Sequence, residues 1–344
     1  MKRSLLIYTV LLLGTLGWAY QTWTHEDELA LQDKVVIVPG TVEQLAAVSY
    51  RSEDLELSVE MRSDEHGRYG WGTLLSKKVA PAPPTPPPAE GEPAPEPPTP
   101  EAPKPRQFKV GKAGEPVFEG LAPFIAKRKL EGVGDDLAAL GLDPPQGTLE
   151  ITREGKEMRS FELGSNAFGD VNVYLRDPND GAIYLVESRI IRPLLKGSTS
   201  LADTQLTGVV EADVERVTLA VGDRQVSFEQ HNPDDNKARF WALPGEAEKS
   251  PEGHAWVAKA LRLRSSKYVP DAEVPVDLAQ AFDFQVAGDD GTVVTVEVLR
   301  NFDDQGQEQF FARSEHTRGL VLLPRSAATD ASADVEAVLQ AGGA

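Results

Sequence analysis

The chain has no cysteine among its 344 residues, which excludes disulfide bonds, thiol catalysis and cysteine-ligated zinc sites. Basic residues are also in short supply, because 35 Lys and Arg stand against 54 Asp and Glu and give a formal net charge of -19. Nucleic acid is bound by a basic face that displaces counterions, so it is a poor partner for this chain. The same charge disfavours direct adhesion of the body of the protein to anionic lipid headgroups.

Catalytic motifs are missing as well. The five histidines never take the HExxH spacing and have no clustered partner in the sequence. The chain has neither the Gly-x-Ser-x-Gly elbow of hydrolases nor the Gly-x-x-x-x-Gly-Lys-Ser/Thr phosphate loop. We therefore predict a protein that is not an enzyme and has no catalytic residue, metal or cofactor. A composite metal site built from distant residues is the less favoured alternative.

Two acidic loops and three tryptophans, Trp71, Trp241 and Trp256, are candidate ligand sites. A calcium-binding EF-hand loop needs Gly at position 6 and Glu at position 12. Residues 177–181 have their Gly at position 5, and the loop that starts at residues 301–306 has Ala312 at position 12. Both loops are therefore interpreted as hairpin turns. Trp71 and Trp241 are predicted to end strands with their rings on the core rather than to line a ligand groove.

The N-terminus has the pattern of a membrane anchor. Two basic residues precede an uncharged stretch, residues 4–24, which is long enough to span a bilayer as one helix. Three aromatic residues gather at its far end, as in an interfacial belt, and the positive-inside rule keeps the basic end in the cytoplasm. The predicted membrane-anchoring residues are Lys2, Arg3, Trp18, Tyr20 and Trp23. This predicts a single-pass protein of a bacterial inner membrane with a periplasmic body. A cleaved signal peptide is the alternative.

Half of the prolines lie in one segment. Residues 81–105 contain 13 of the 26 prolines in the chain. Because proline has no N–H to donate to a helix or a sheet, this segment is predicted to be an extended spacer that could reach roughly 75 Å at ~3.1 Å per residue. A docking ligand for a proline-recognising domain is the alternative.

The body contains an internal repeat. Residues 41–71 and 213–241 each have two alternating strands joined by a turn and then an aromatic end at Trp, with residues 42–45 aligned on residues 214–217. The predicted fold class is α+β, with one N-terminal transmembrane helix followed by two similar α+β modules with mainly antiparallel sheets. The predicted segments are 1–24 (cytoplasmic tip and transmembrane helix), 25–80 (first part of module 1), 81–106 (proline-rich insertion), 107–200 (remainder of module 1), 201–326 (module 2) and 327–344 (C-terminal helix or tail).

Hydrophobic periodicity locates the elements of both modules. A helical stripe covers residues 116–130, kinked or split at Pro123, and has a counterpart at residues 254–263. Residues 141–145 and 281–284 are predicted to turn the chain into a strand. The other predicted elements are strands 148–153, 157–163, 172–175, 182–186, 293–299, 309–314 and 319–323 and helices 187–195 and 333–340.

The first module resembles a widespread bacterial domain family of unknown function. The residues that carry the resemblance are 137–144 (LAALGLDP), 161–164 (FELG), 173–174 (VY) and 183–186 (IYLV). The resemblance covers most of residues 35–200 and, more loosely, residues 205–325, although the proline insertion departs from the short connection usual in the family. Members combine an N-terminal membrane helix with repeated α+β modules and are often encoded beside gliding-motility-type ABC transporter subunits. The resemblance therefore implies an accessory role beside such a complex, and it carries over no catalytic residue.

These observations favour a non-enzymatic, membrane-anchored periplasmic accessory or scaffold subunit of an ABC-transporter-type envelope complex, related to gliding or export. The expected partners are the ABC transporter permease and related membrane subunits, and another subunit hydrolyses ATP. The main alternative is a periplasmic ligand-binding or sensing module that uses the cleft between the two repeats. A third hypothesis is a hydrolase of cell-wall or polysaccharide substrates, which requires two facing carboxylates.

Overall fold

A computed structural model of the chain describes residue 15 and residues 34–77, 103–131, 136–155, 158–169 and 171–343. The predicted membrane-spanning stretch lies outside these residues except for Thr15. The five predicted anchoring residues, Lys2, Arg3, Trp18, Tyr20 and Trp23, also lie outside them, so the anchor stays a prediction. Within the described part of the chain, no helix combines the length and the apolar character needed to cross a bilayer.

The described residues form nineteen strands and six α-helices. The first eleven strands are β1 (Val35–Val38), β2 (Leu45–Arg51), β3 (Leu55–Asp64), β4 (Gly67–Ser76), β5 (Arg106–Lys109), β6 (Phe124–Ala126), β7 (Arg128–Leu130), β8 (Gly147–Arg153), β9 (Arg159–Asn166), β10 (Asn172–Arg176) and β11 (Ile183–Glu187). The other strands are β12 (Val214–Val221), β13 (Arg224–His231), β14 (Phe240–Ala242), β15 (Lys267–Tyr268), β16 (Ala279–Gly288), β17 (Val293–Phe302), β18 (Glu308–Ser314) and β19 (Val321–Leu322). The helices are α1 (Glu115–Leu121), α2 (Ser188–Lys196), α3 (Ser198–Leu201), α4 (Pro251–Arg262), α5 (Arg325–Ala333) and α6 (Val335–Ala341).

The chain divides into two compact units that are not continuous in sequence. Unit 1 contains the described residues of Met1–Ser58 and of Gly114–Lys196, and unit 2 contains those of Val59–Ala113 and of Gly197–Ala344. The division falls inside β3, so the end of β3, β4 and β5 belong to unit 2. The segment boundaries predicted from the sequence stay predictions.

The same strand order occurs twice in the chain. The strands of unit 1 follow the order β3-β2-β8-β9-β10-β11-β7. Unit 1 also contains a two-stranded sheet of β1 and β6. In unit 2, β3 is followed by β4 and β5. The eight-stranded sheet of unit 2 has the order β14-β13-β12-β16-β17-β18-β19-β15. It repeats the succession β4-β3-β2-β8-β9-β10-β11-β7, whereas β5 has no counterpart. The predicted α+β class with mainly antiparallel sheets is confirmed.

The register of the repeat differs from the sequence alignment. A short 3-10 helix, Val42–Gln44, precedes β2, and the matching 3-10 helix before β12 is Glu211–Asp213. Leu45 and Val214 therefore occupy the same place, each as the buried first residue of its strand. The alignment of residues 42–45 with residues 214–217 is displaced, because the short polar turn before each strand has no shared sequence pattern.

Two of the predicted elements are wrong. The helical stripe predicted over residues 116–130 ends with α1 at Leu121, and the chain continues as β6 and β7, since Pro123 has no N–H to continue a helix. Residues 281–284, predicted as a turn, lie inside β16. There Phe282 and Phe284 alternate onto the buried face, which is the period of a strand.

Each unit has an aromatic core of its own. In unit 1, Phe124 and Phe161 meet edge to face with ring centroids 6.0 Å apart. In unit 2, the fully buried Trp256 of α4 packs on Phe282 and Phe284 at 6.1 and 6.2 Å. Its indole N–H donates to the carbonyl of Ala331 in α5 at 3.1 Å, so this ring also fastens the C-terminal helices to the sheet.

The motif that carries the family resemblance fixes a turn against β9. Residues 137–141 form turns, and the carbonyl of Leu140 accepts hydrogen bonds from the backbone N–H and the hydroxyl of Ser165 at 2.8 and 3.0 Å. Gly164 lets the two backbones approach, because a Cβ atom there would lie 2.4 Å from the oxygen of Leu140. The Leu-Gly pair of the motif is therefore explained by packing.

We expect Gly164→Ala to destabilise the protein by about 1–3 kcal/mol, since the added methyl group meets backbone rather than a movable side chain. Urea unfolding of the full chain measures the change. Ser160→Ala on the same strand is the control and should have a much smaller effect. A Gly164→Ala variant as stable as the unchanged protein would show that the turn at Leu140 is free to move away.

Candidate functional site

The proline-rich segment connects two neighbouring strands. β4 and β5 are antiparallel, with Trp71 paired to Lys109 and Leu74 paired to Arg106. The chain that leaves the end of β4 therefore returns to the strand beside it after residues 78–102, which lie outside the described residues. The predicted insertion therefore connects two paired strands, and its role as an extended spacer stays a prediction. The docking role stays a prediction.

A buried ionic cluster lies where β5 ends. The ammonium of Lys109 is 2.8 Å from Oδ2 of Asp203, and Nε2 of His316 is 2.7 Å from the same oxygen. Lys109 and Asp203 are each only 8% exposed. All three residues belong to unit 2. We call Lys109, Asp203, His316 and the adjacent Tyr268 the junction cluster.

Backbone contacts bring the junction cluster together. Asp203 follows α3, and its N–H donates to the carbonyl of Lys109 at 2.8 Å. His316 lies in the turn between β18 and β19, where Gly208 makes room for its ring. A Cβ atom on Gly208 would lie 2.3 Å from Nδ1 of His316. Three segments far apart in sequence therefore meet at one carboxylate.

Aromatic residues cover one side of the junction cluster. The ring of Tyr268 meets Trp71 edge to face at 5.6 Å, and Gly319 packs against the same indole. The hydroxyl of Tyr268 is buried and has no hydrogen-bond partner among the described residues. Burial and then the charge of Asp203 raise the pKa of Tyr268, while a backbone group of Lys109 acts in the opposite direction. This hydroxyl therefore stays protonated.

The turn that carries His316 is fixed by a second cation. Arg318 has a φ of 59°, and its Nε lies 3.2 Å from a carboxylate oxygen of Asp64 at the end of β3. Its guanidinium also lies over the ring of Tyr69 in β4, 5.3 Å from the centroid. The turn between β18 and β19 is thus attached to β3 and β4 as well as to β5.

Burial and ionic contacts act on Asp203 in opposite directions. Burial alone raises the pKa of its carboxyl group, but the hydrogen bonds and the charges of His316 and Lys109 outweigh burial and hold the pKa well below its usual range. Lys109 and His316 both bind the same carboxylate oxygen, and the ammonium of Lys109 also lies 3.3 Å from Nε2 of His316. This arrangement can fasten three segments together.

The sequence did not reveal the junction cluster. None of the histidines was expected to have a clustered partner, but His316 binds Asp203, which is 113 residues away. No spacing signals a contact across that separation. The structure also places His231 in a stack on Phe240 at 4.8 Å and His66 beside Glu65 at 3.4 Å. Among the described residues, no group of acidic residues and histidines could hold a metal ion.

Both acidic loops are hairpin turns. Oδ1 of Asp177 accepts hydrogen bonds from the backbone and side-chain nitrogens of Asn179, each at 2.9 Å. Oδ1 of Asp303 accepts from the backbone N–H groups of Gln305 and Gln307 at 2.9 and 2.8 Å. The carboxylates that suggested calcium ligands therefore hold the turns.

The tryptophans have different roles. Trp241 is 1% exposed and lies in the core of unit 2, as predicted. Trp71 is only half-buried, and its ring packs on Tyr268 beside the junction cluster. The prediction that Trp71 lies on a core is therefore wrong, since the strand pair β4–β5 is covered by the turn of another sheet in unit 2.

One open cavity of about 300 Å³ lies elsewhere in unit 2. It contains two carboxylates, of which Asp303 holds its own turn and Glu308 is paired with Arg300 at 3.6 Å. Its lining residues are Ser266, Asp303, Gln307, Glu308, Gln309, Leu322, Leu323, Pro324 and Arg325. These carboxylates are already engaged, so they do not resemble the free acid and base that a glycosidase needs.

Comparison with known proteins identifies one region of the chain. Residues 119–281 match the family described as Domain of unknown function (DUF4340). The expected resemblance to a family of unknown function is confirmed. The DUF4340 region includes the contact of Gly164 with the turn at Leu140 and also Asp203 and Tyr268. Lys109 and His316 lie beyond its ends. No curated protein and no solved structure matches the chain.

We expect Asp203→Asn to lower the free energy of unfolding by about 3–5 kcal/mol, because it leaves the buried ammonium of Lys109 without a counter-charge. Chemical denaturation of the full chain measures this loss. Glu229→Gln, which breaks the exposed pair with Arg216, is the control and should cost far less. The double variant Lys109→Met/Asp203→Leu should recover much of the loss, since it removes both charges. Equal losses in the single and double variants would contradict this account.

The stabilising effect of Asp203 should depend on pH. Because folding lowers the pKa of this carboxyl group below its ordinary value of 3.8, its contribution is fully present above that value and is lost as the pH falls toward the folded pKa. The stability difference between the unchanged protein and Asp203→Asn should therefore be constant near neutral pH and shrink below about pH 4. Unfolding curves at a series of pH values test this, and a difference that does not change with acidification would refute it.

Proposed function

We propose that the chain is a non-enzymatic, membrane-anchored periplasmic accessory subunit that acts as a scaffold for an ABC-transporter-type envelope complex. The supporting observation is the junction cluster, in which the most buried ionic groups of unit 2 bind one another. A network of this kind holds strands and turns in fixed positions, which suits a support for partner proteins.

The repeated architecture supports the same proposal. Two long antiparallel sheets share a succession of eight strands. They present extended surfaces and serve mainly as structural support. The match to DUF4340 agrees with the expected family but leaves its role open. The membrane anchor, the association with an ABC transporter and the relation to gliding or export are carried by the N-terminal sequence pattern and by the resemblance alone.

Ligand binding is the second candidate function. The observation in its favour is the open cavity of about 300 Å³, which is at the lower end of the size of small-molecule sites. A thermal-shift screen of the full chain in detergent separates the two candidates, since a ligand that binds the folded state raises the melting temperature. Arg325→Ala, at the edge of this cavity, should abolish such a shift.

The scaffold proposal predicts a stable complex. When the tagged full-length chain is expressed together with ABC transporter subunits of the gliding-motility type and purified in a mild detergent, the permease should be recovered with it in constant proportion. An unrelated single-pass membrane protein with the same tag is the control. Recovery of the chain alone while the permease is present in the membrane would count against the proposal.

A further inference from the structure

We propose that unit 1 carries a basic tip that docks on an anionic phospholipid bilayer. The basic tip consists of Lys127, Phe168, Val171, Arg189 and Arg192. The inference rests on the proposed membrane anchoring, and it adds the surface of the folded body that meets the lipid headgroups. It also revises the expectation, based on net charge, that the body avoids such headgroups.

Contacts around the start of α2 hold the basic tip together. The N–H of Ser188 donates to the carbonyl of Val171 at 3.2 Å, which attaches the loop between β9 and β10 to the start of the helix. Glu187 lies 3.9 Å from the ammonium of Lys127 and pairs with Arg189 on its other side. Phe168 belongs to the same loop as Val171, and Arg192 follows Arg189 on the next turn of α2.

The basic tip differs in charge from the rest of the protein. Residues 124–130, 168–171 and 187–196 contain six Lys and Arg residues and two acidic residues, Asp170 and Glu187, whereas acidic residues outnumber basic ones in the whole chain. The side chain of Arg189 is 83% exposed. Charges are screened over ~8 Å at physiological salt, so a nearby surface responds to this local excess rather than to distant carboxylates.

Two apolar side chains protrude beside these cations. Phe168 is fully exposed, and Val171 is 70% exposed. An exposed aromatic ring on a loop that is attached to the start of α2 is suited to the bilayer interface, where the ring enters the boundary of headgroups and acyl chains while the arginines of α2 meet phosphates. Among the described residues of unit 1, none covers the ring of Phe168.

The position at which the chain enters the fold indicates that the basic tip faces a bilayer. β1 pairs with β6, and Val35 lies opposite Ala126, so the chain enters the described fold next to Lys127. The predicted membrane span ends at residue 24. The ten residues between that end and Val35 reach at most about 35 Å. A chain anchored by that span would therefore keep the basic tip close to the membrane surface.

The absence of cysteine allows a direct test with one label at a time. The full-length chain with Val171→Cys, labelled with bimane, is reconstituted into vesicles that contain a doxyl-labelled lipid as quencher. We expect strong quenching in vesicles with phosphatidylglycerol and weak quenching in phosphatidylcholine alone. The control label is Met158→Cys, an exposed apolar position at the other end of β9, about 25 Å away, and it should not be quenched.

The contributions of the arginines and of the Phe168 ring are tested by variants of the chain labelled at position 171. Arg189→Gln and Arg192→Gln should each lower the ratio of docked to undocked protein roughly fivefold, and Phe168→Ser should lower it as well. Arg216→Gln, which removes an exposed arginine of unit 2, is the matched control and should leave the quenching unchanged.

The outcomes separate this inference from the anchor. Quenching that is equal in the two lipid compositions, or equal at positions 158 and 171, overturns lipid docking while the chain still floats with the vesicles. A chain that does not float with vesicles of either composition contradicts the proposed anchoring and this inference together. A blue shift of bimane in native membranes without lipid quenching assigns the basic tip to an acidic protein partner and overturns docking on lipid.

Discussion

One carboxylate joins three segments of unit 2 that are far apart in the sequence. Asp203 binds the ammonium of Lys109 and the imidazole of His316 through a single oxygen atom. A lysine that is 8% exposed is tolerated only with a counter-charge, because the loss of hydration is not otherwise repaid. β5, the segment after α3 and the turn between β18 and β19 therefore take their final positions together. The edge-to-face contact of Trp71 with Tyr268 and the pairing of Arg318 with Asp64 lie beside that arrangement.

The two copies of the strand order use equivalent turns for different purposes. The turn between β10 and β11 is closed by the side chains of Asp177 and Asp180. The equivalent turn between β18 and β19 carries His316 and Arg318, which bind residues of β3, β5 and the segment after α3. The strands supply most of the buried core in both copies. The turns between the strands can therefore differ in sequence and in contacts.

Charge is distributed unevenly over this acidic chain. The junction cluster removes a lysine and an aspartate from solvent, whereas the basic tip of unit 1 gathers cations at the place where the chain enters the fold. Net charge therefore describes solubility but not the behaviour of a particular surface. The DUF4340 region contains the whole basic tip but only half of the junction cluster, so the junction cluster extends beyond the family match.

The sequence by itself determined the class of the fold and most strands after residue 146, because alternating burial has a period that local residues express, as in β8 and β10. It also determined that β4 ends before a proline-rich segment. Only the tertiary structure decided that this segment returns to β5, that residues 281–284 extend β16, and that His316 meets Asp203. Strand pairing and buried ion pairs join residues that are far apart in the sequence, such as Asp203 and His316 at 113 positions, and no local pattern records such a contact.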